Sequence, residues 1–242
     1  MLVRTLHPWR VSHHQAVEIQ MRLRDKLRLE PLERGIRLVA GADVAYSRLT
    51  HRMFAAIVVL SVPELQVIET ARAVARARFP YIPGLFTFRE LPPLLGAFAR
   101  LRARPDVVLF DGHGLAHPRR FGLACHAGLL LDTPALGCAK KRLVGTHASV
   151  GPRRGDRTPL LIDDEAVGMV VRTRPGVRPV FVSPGHLIDI DSSVRIVLET
   201  IGRFRLPEPT RLAHHATTTM QRALDRRVRP ASRRTYPDFV PG

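Results

Sequence analysis

The 242-residue sequence has little cysteine, little lysine, few acids and no long hydrophobic run. Two cysteines, Cys125 and Cys138, exclude a disulfide-stapled scaffold, and the lack of any CxxC pair argues against a cysteine-based zinc site. The apolar run Ala55 to Leu60 is far short of the roughly 20 residues that a membrane helix needs. Met1 to Arg10 carries Pro8 and two arginines, with none of the apolar stretch of an export signal. These absences lead to the expectation of a soluble, cytoplasmic protein with no membrane partner. Acids are scarce, 21 against 38 basic residues, for a net charge of +17. Such a surplus suits a polyanion, of which nucleic acid is the commonest. Lysine, however, occurs only at Lys26, Lys140 and Lys141, so nearly all the surplus is arginine. A GC-rich genome produces the same bias, so charge alone also fits a basic but unrelated enzyme. The bias makes the adjacent pair Lys140-Lys141 informative.

A hydrophobic content of 45% suits a globular chain with a sizeable core. We read one domain over residues 1–228 and a basic, loose tail over 229–242. Ser12 can cap a helix from His13 to Leu29, with Ala16, Ile19, Leu23 and Leu27 at helical spacing and Pro31 beyond. Three strands follow, Leu38–Tyr46, Phe54–Val62 and Gln66–Val74, with short loops that suggest an antiparallel meander. A loop rich in Pro and Gly, Phe79 to Gly84, leads to a helix over Thr87–Arg104, with Pro92 and Pro93 taken as lying near its start. A strand at Val107–Phe110, a helix over Arg119–Leu131 and a strand at Ala135–Ala139 come next. Thr146–Thr158 reads as a loop. Strands are expected at Val167–Arg172 and Val180–Val182, and helices at Asp191–Phe204 and Pro209–Arg227. This order predicts an α/β fold with a mixed central sheet flanked by helices, a beginning shared with ribonuclease H-like folds. Fold alone does not give function.

Three acids stand out. Asp43 interrupts the apolar strand Leu38–Tyr46, where an uncompensated carboxylate is expensive to bury. Asp111 ends the strand Val107–Phe110, and the carboxyl ends of strands in α/β sheets commonly present site residues. Glu90 begins the helix after the Pro-Gly loop. Each has an ordinary alternative: an edge position or ion pair, a turn, and a first-turn acid favoured by the helix dipole. Taken together they can converge, and hard divalent cations take carboxylate oxygens beside a substrate phosphate. The prediction is metal-assisted cleavage of a phosphodiester. Lys140 follows a strand end, where it could hold a phosphate as a point charge, or sit in a solvated basic turn. His117-Pro118-Arg119-Arg120 precedes a helix whose N-terminus would suit an anion. Tyr81, between prolines, could wedge between bases or simply form a rigid turn.

The motifs then go beyond generic chemistry. Val39-Ala40-Gly41-Ala42-Asp43-Val44, Phe79-Pro80-Tyr81-Ile82-Pro83-Gly84-Leu85 with Phe88-Arg89-Glu90, and Pro105-Asp106-Val107-Val108 running into Asp111-Gly112-His113-Gly114 come first. Ala116-His117-Pro118-Arg119-Arg120, Gly137-Cys138-Ala139-Lys140, Val182-Ser183-Pro184-Gly185-His186 and Leu206-Pro207-Glu208-Pro209-Thr210-Arg211 follow in order. This ordered set closely resembles the endonuclease V family, nucleases that act at deaminated adenine. The resemblance implies a ribonuclease H-like fold and a Mg²⁺-dependent endonuclease in which Mn²⁺ can substitute. It implies metal ligation by Asp43 and Asp111, with Glu90 completing the cluster directly or through water. Lys140 matches the lysine near the scissile phosphate, and His214 matches a histidine, found in some members, that positions the attacking water. Tyr81 matches the wedge, within a nucleic-acid surface of Pro80, Tyr81, Ile82, Pro83, Gly84, Leu85, Gly112, His117, Arg119 and Lys140. The flipped hypoxanthine would sit near Gly84, Leu85 and Gly112. The implied reaction cuts the second phosphodiester bond 3′ to deoxyinosine in DNA and leaves 3′-hydroxyl and 5′-phosphate ends. Open alternatives are inosine in single-stranded RNA and a nucleic-acid-binding protein without turnover. A monomer is expected, and Cys125 and Cys138 are expected to pack in the core.

Overall fold

A computed structural model describes residues 1–33 and 35–228. The basic tail expected from Arg229 onward lies outside the described residues. Thirteen elements follow in the order α1 (His13–Arg24), β1 (Leu38–Tyr46), β2 (Arg52–Ser61), β3 (Val67–Arg76), α2 (Thr87–Phe98), β4 (Val107–Phe110), α3 (Leu123–Leu131), β5 (Ala135–Ala139), β6 (Arg157–Ile162), β7 (Glu165–Val171), β8 (Val180–His186), α4 (Ile190–Glu199) and α5 (Glu208–Val228). One mixed sheet has the order β3-β2-β1-β4-β5-β8-β7-β6. β1, β4 and β5 are parallel at its centre, and the outer pairs are antiparallel. The central strands β4 and β5 are buried along their whole length, as continuous apolar runs covered on both faces require.

Period-two alternation assigns the two faces. Ala40, Ala42, Val108 and Phe110 join α2 and α3 in one core, with Leu91, Leu94, Phe98 and Leu130. Val39 and Leu109 face the other way, into a second core with Val194, Ile196, Val197 and Ala213 of α4 and α5. Gly41 and Asp43 have the parity of Val39, and Asp111 has that of Leu109. Both acids therefore belong to the face that α5 covers. The parallel register pairs Gly41 with Leu109 and Ala42 with Phe110, so one step further sets Asp43 beside Asp111.

Gly41 decides where α5 sits. A Cβ there would lie 2.0 Å from the Pro209 carbonyl carbon and 2.4 Å from the Thr210 nitrogen. The helix thus lies directly on the strand backbone. Asp43 is about 7 Å further along β1, and His214 is about 7.5 Å further along α5. The other end of α5 is latched to the turn after β1, where Ser47 Oγ donates to Asp225 at 2.6 Å and the Thr50 amide donates to Ser47 Oγ at 3.0 Å.

Several expected boundaries move, each for a local reason. α1 has its Ser12 cap and a Gln15 capping box but stops at Arg24 rather than Leu29. The Arg28 backbone is taken up by β8's end, its amide on His186 Nδ1 (3.3 Å) and its carbonyl on the Leu187 amide (2.7 Å). α2 ends at Phe98, and the amides of Arg102 and Ala103 turn to the Glu69 carboxylate. Pro92 and Pro93 lie inside α2, not near its start. α3 starts at Leu123, because Arg120 is left-handed (φ 55°) and the Gly122 amide bonds Gly114. α4 ends at Glu199 rather than Phe204. β6, which begins inside the expected loop, was not anticipated. No helix among the described residues is long and apolar enough to cross a membrane.

Candidate active site

The carboxyl ends of β1 and β4, the first turn of α2 and the middle of α5 enclose a cavity of about 350 Å³, lined among others by Asp43, Tyr46, Glu90, Asp111, His214 and Gln221. Only 9% of the Asp43 side chain is exposed. Its Oδ2 accepts from Thr217 Oγ1 at 2.5 Å and contacts His214 Nδ1 at 3.3 Å. Asp111 pairs with Lys140 Nζ, which arrives from the end of β5. One ligand atom from each of Asp43, Asp111 and His214 lies within 4.8 Å of the others. Glu90 lines the same cavity but stands outside that tight group.

The acids oppose one another. Desolvation raises the Asp43 pKa first, and Asp111 adds to the rise against the hydrogen bond from Thr217 and the charges of His214 and Lys140. Desolvation, then Asp43 and Asp111, push Glu90 up to about 8. This donor set, carboxylate oxygens with one imidazole nitrogen, fits a hard divalent cation, which would relieve that electrostatic conflict.

The loop before α2 is tied to the cavity through Arg89, which stacks on Tyr46 and donates to the Phe79 carbonyl. Tyr81 is 72% exposed at its tip, flanked by exposed Pro80 and Pro83 and half-buried Ile82, while Leu85 is fully buried. Gly84 has φ +77°, and its carbonyl accepts from Gln20 Nε2 (3.0 Å), His117 Nε2 (3.0 Å) and Arg119 Nη2 (2.7 Å). His117 Nδ1 also accepts from the Arg119 amide at 3.2 Å, so the proton sits on Nε2. Desolvation, then Arg119, lower its pKa to about 4, which keeps the ring neutral. His117 and Arg119 are thus held beneath the loop, bracing it. Gly137 makes room for backbone on backbone, since a Cβ there would come within 2.4 Å of the Gly112 carbonyl.

A sequence profile of the family described as Endonuclease V matches residues 20–215. The chain belongs to the endonuclease V family. It is 49% identical to Endonuclease V of Myxococcus xanthus over 217 residues, 89% of this chain and 92% of the relative. The crystal structure of the Bacillus subtilis Endonuclease V superposes with a TM-score of 0.90 at 33% identity, covering 94% of this chain and 100% of that one. The Ciona intestinalis Endonuclease V, in complex with a 24mer DNA containing an inosine followed by a ribo-adenosine, matches at TM-score 0.77 and 27% identity over 87% of this chain and 98% of that one. Members of the endonuclease V family are phosphodiester hydrolases, and the fold is ribonuclease H-like, as the sequence motifs implied.

Within this endonuclease V fold, Asp43, Glu90, Asp111, Lys140 and His214 come to one cleft. Tyr81 lies exposed on the loop that leads into α2, Gly84 is braced beneath it, and Leu85 is buried in the core with Ile19, Leu23 and Phe88 rather than lining the cleft. Four participants escaped the sequence reading. Thr217 holds Asp43, and its only signal is the i,i+3 spacing from His214 on one helix face. Gln20 braces Gly84 and accepts from Arg119 Nε at 2.6 Å. Tyr46 lines the cavity, and Arg89 stacks on its ring at 4.3 Å while donating to the Phe79 carbonyl. Cys125 and Cys138 are buried with thiols pushed up to about 12 by desolvation, consistent with inert core packing.

Proposed function

We propose that this chain hydrolyses DNA at deoxyinosine, cutting the second phosphodiester bond 3′ to the lesion to leave a 3′-hydroxyl and a 5′-phosphate. The observation that carries the reading is the convergence of Asp43, Asp111 and Glu90 in one cleft, with an exposed aromatic, Tyr81, on the braced loop that leads into Glu90's helix. Asp43 and Asp111 would hold Mg²⁺, or Mn²⁺ in its place, with Glu90 completing the set directly or through water. A cation there supplies Lewis-acid stabilisation of the charge that builds on phosphate oxygens during hydrolysis. Lys140 places a point charge for the scissile phosphate at the cleft edge. His214, with Nδ1 toward Asp43, leaves Nε2 to orient the attacking water and accept its proton.

Tyr81 would enter the stack while the lesion turns out toward Gly84, Leu85 and Gly112. Unstacking takes a few kcal/mol, roughly, and least at a mispaired base, which favours the lesion over normal sequence. A second reading, inosine in RNA, is favoured by the ribo-adenosine in the Ciona relative's ligand. A binding protein without turnover would not need the intact acid set. The test is a cleavage assay in Mg²⁺ on one strand carrying a single inosine, as DNA and as matched RNA, with the cut position mapped. Cutting of DNA one nucleotide beyond the lesion's own 3′ linkage supports the proposal. Preference for RNA moves the function to the second reading, and cutting independent of inosine overturns both.

A further inference from the structure

The turn between β1 and β2 and the end of β3 meet beside the cleft, and the charged side chains of these two segments are all basic, with Asp225 of α5 the acid bonded to the turn through Ser47. The segments carry Arg48, Arg52, Arg76 and Arg78, and no acid occurs over residues 47–53 or 75–82. Arg52 and Arg76 are direct partners across the antiparallel β2–β3 pair, on one face of the sheet. Cross-strand partners have Cα atoms about 4.5–5.5 Å apart, and like charges placed so repel. A sheet ordinarily avoids this or adds a carboxylate. Here all four arginines are exposed, and none makes a side-chain hydrogen bond or ion pair among the described residues. Elsewhere arginine is heavily engaged, as in Arg119, Arg172 and Arg205, which donate to backbone carbonyls.

Position adds to composition. Tyr46, one residue before this turn, lines the acid cavity and contacts His51 in the turn itself at 2.9 Å. The Ala77 amide donates to the His51 carbonyl, which ties the turn to the end of β3. From Arg76 the chain runs through Arg78 straight into Pro80-Tyr81 at the exposed loop tip. The cations therefore continue the line from cleft to loop.

We propose that this hairpin end is a clamp for the DNA backbone flanking the lesion, with Arg52 and Arg76 as a paired phosphate site and Arg48 and Arg78 extending it. The proposal rests on the nuclease reading above and assigns to that site the contacts which hold the strand without reading its bases. Phosphate contacts of this kind act on every sequence alike and release counterions.

The experiment measures binding by fluorescence anisotropy from 50 to 300 mM salt, without divalent cation, on a strand with one inosine and on its undamaged counterpart. The double variant Arg52→Gln/Arg76→Gln is compared with wild type and with Arg154→Gln/Arg157→Gln, which removes the same charge near β6 at the opposite sheet edge. The hairpin variant should bind both strands about tenfold more weakly at the lowest salt. Its log–log salt slope should be shallower by roughly 1.4–1.8, the value for two lost phosphate contacts. Its Tm should be no lower than wild type, since a repulsion is removed. The control pair should leave the slope in place. An unchanged slope in the hairpin variant, or an equal change in the control, overturns the clamp. Wild-type protein that fails to cut the inosine strand in Mg²⁺ overturns the nuclease reading instead, and the slope measurement still decides the clamp.

Discussion

At the scale of single residues, the cleft is a set of acids that the protein leaves in conflict. Lys140 compensates Asp111, and Thr217 with His214 compensates Asp43, but Glu90 has only Arg89 against its burial and the charges of Asp43 and Asp111. Asp43→Ala or Asp111→Ala should abolish cleavage while leaving lesion binding within a few-fold; near-wild-type cutting by either would refute the assignment of these acids. Glu90 gives a pH dependence with a definite sign. In the cation-free protein its pKa is about 8 against an ordinary 4.5, so between those values the folded chain holds a proton that the unfolded chain has lost. Stability then falls as pH rises through that window, since it falls wherever the native state binds more protons. Glu90→Gln should therefore raise Tm at pH 8, and the gain should vanish near pH 4.5. Mg²⁺ should shrink it at pH 8 by favouring the wild-type carboxylate. Thermal melts of both proteins with EDTA and with Mg²⁺ check this, and an equal gain at both pH values would show that Glu90 is ionised in the apo fold.

At the scale of elements, α5 is set by one glycine. With a Cβ at position 41 only 2.0 Å from the Pro209 backbone, Gly41→Ala must lift the helix off β1. Overpacking of this sort costs about 1–3 kcal/mol, and it moves His214 and Thr217 away from Asp43. We expect a clear loss of Tm together with loss of cleavage, whereas Gly35→Ala, where nothing lies within 4 Å, should change neither. A wild-type cleavage rate in Gly41→Ala would show that α5 does not position the cleft. The strands were legible because alternation and apolar runs are local: the pattern alone sets Asp43 within β1 and Asp111 at the end of β4. What could not be read was contact across the chain. Thr217 meets Asp43 over 174 residues, and Gln20 meets Gly84 over 64. No local periodicity carries such a pairing. Helix ends were misjudged for the same reason: Glu69 captures amides after α2, and β8 captures Arg28 after α1. β6 escaped because Pro159 sits within it, and proline is tolerated on an edge strand such as this one.

At the scale of the whole molecule, +17 overstates what nucleic acid can feel. Many arginines serve the fold. Arg172 reaches the carbonyls of Gly151 (3.0 Å), Val150 (3.2 Å) and Val177; Arg205 reaches those of Lys140 (2.9 Å) and Pro179 (2.7 Å). Arg120 reaches the Ile162 carbonyl (2.9 Å), and Arg195 that of Leu32 (2.6 Å). Arg211 pairs with Glu208, and Arg4 with Asp132. These cations have their guanidinium groups turned to carbonyls and carboxylates of the fold itself, so they are not free to take up phosphates. The salt dependence of DNA binding counts neutralised phosphates, not net charge, with a slope of about −0.9 per contact on duplex. Wild-type binding should therefore show a log–log slope no steeper than about −9, the value for ten contacts. Arg172→Gln should lower Tm, because three buried or half-buried carbonyls lose their donor, and should leave that slope as it was. A slope approaching the full net charge, or one that Arg172→Gln makes shallower, would mean that the arginines holding the fold together also hold the DNA.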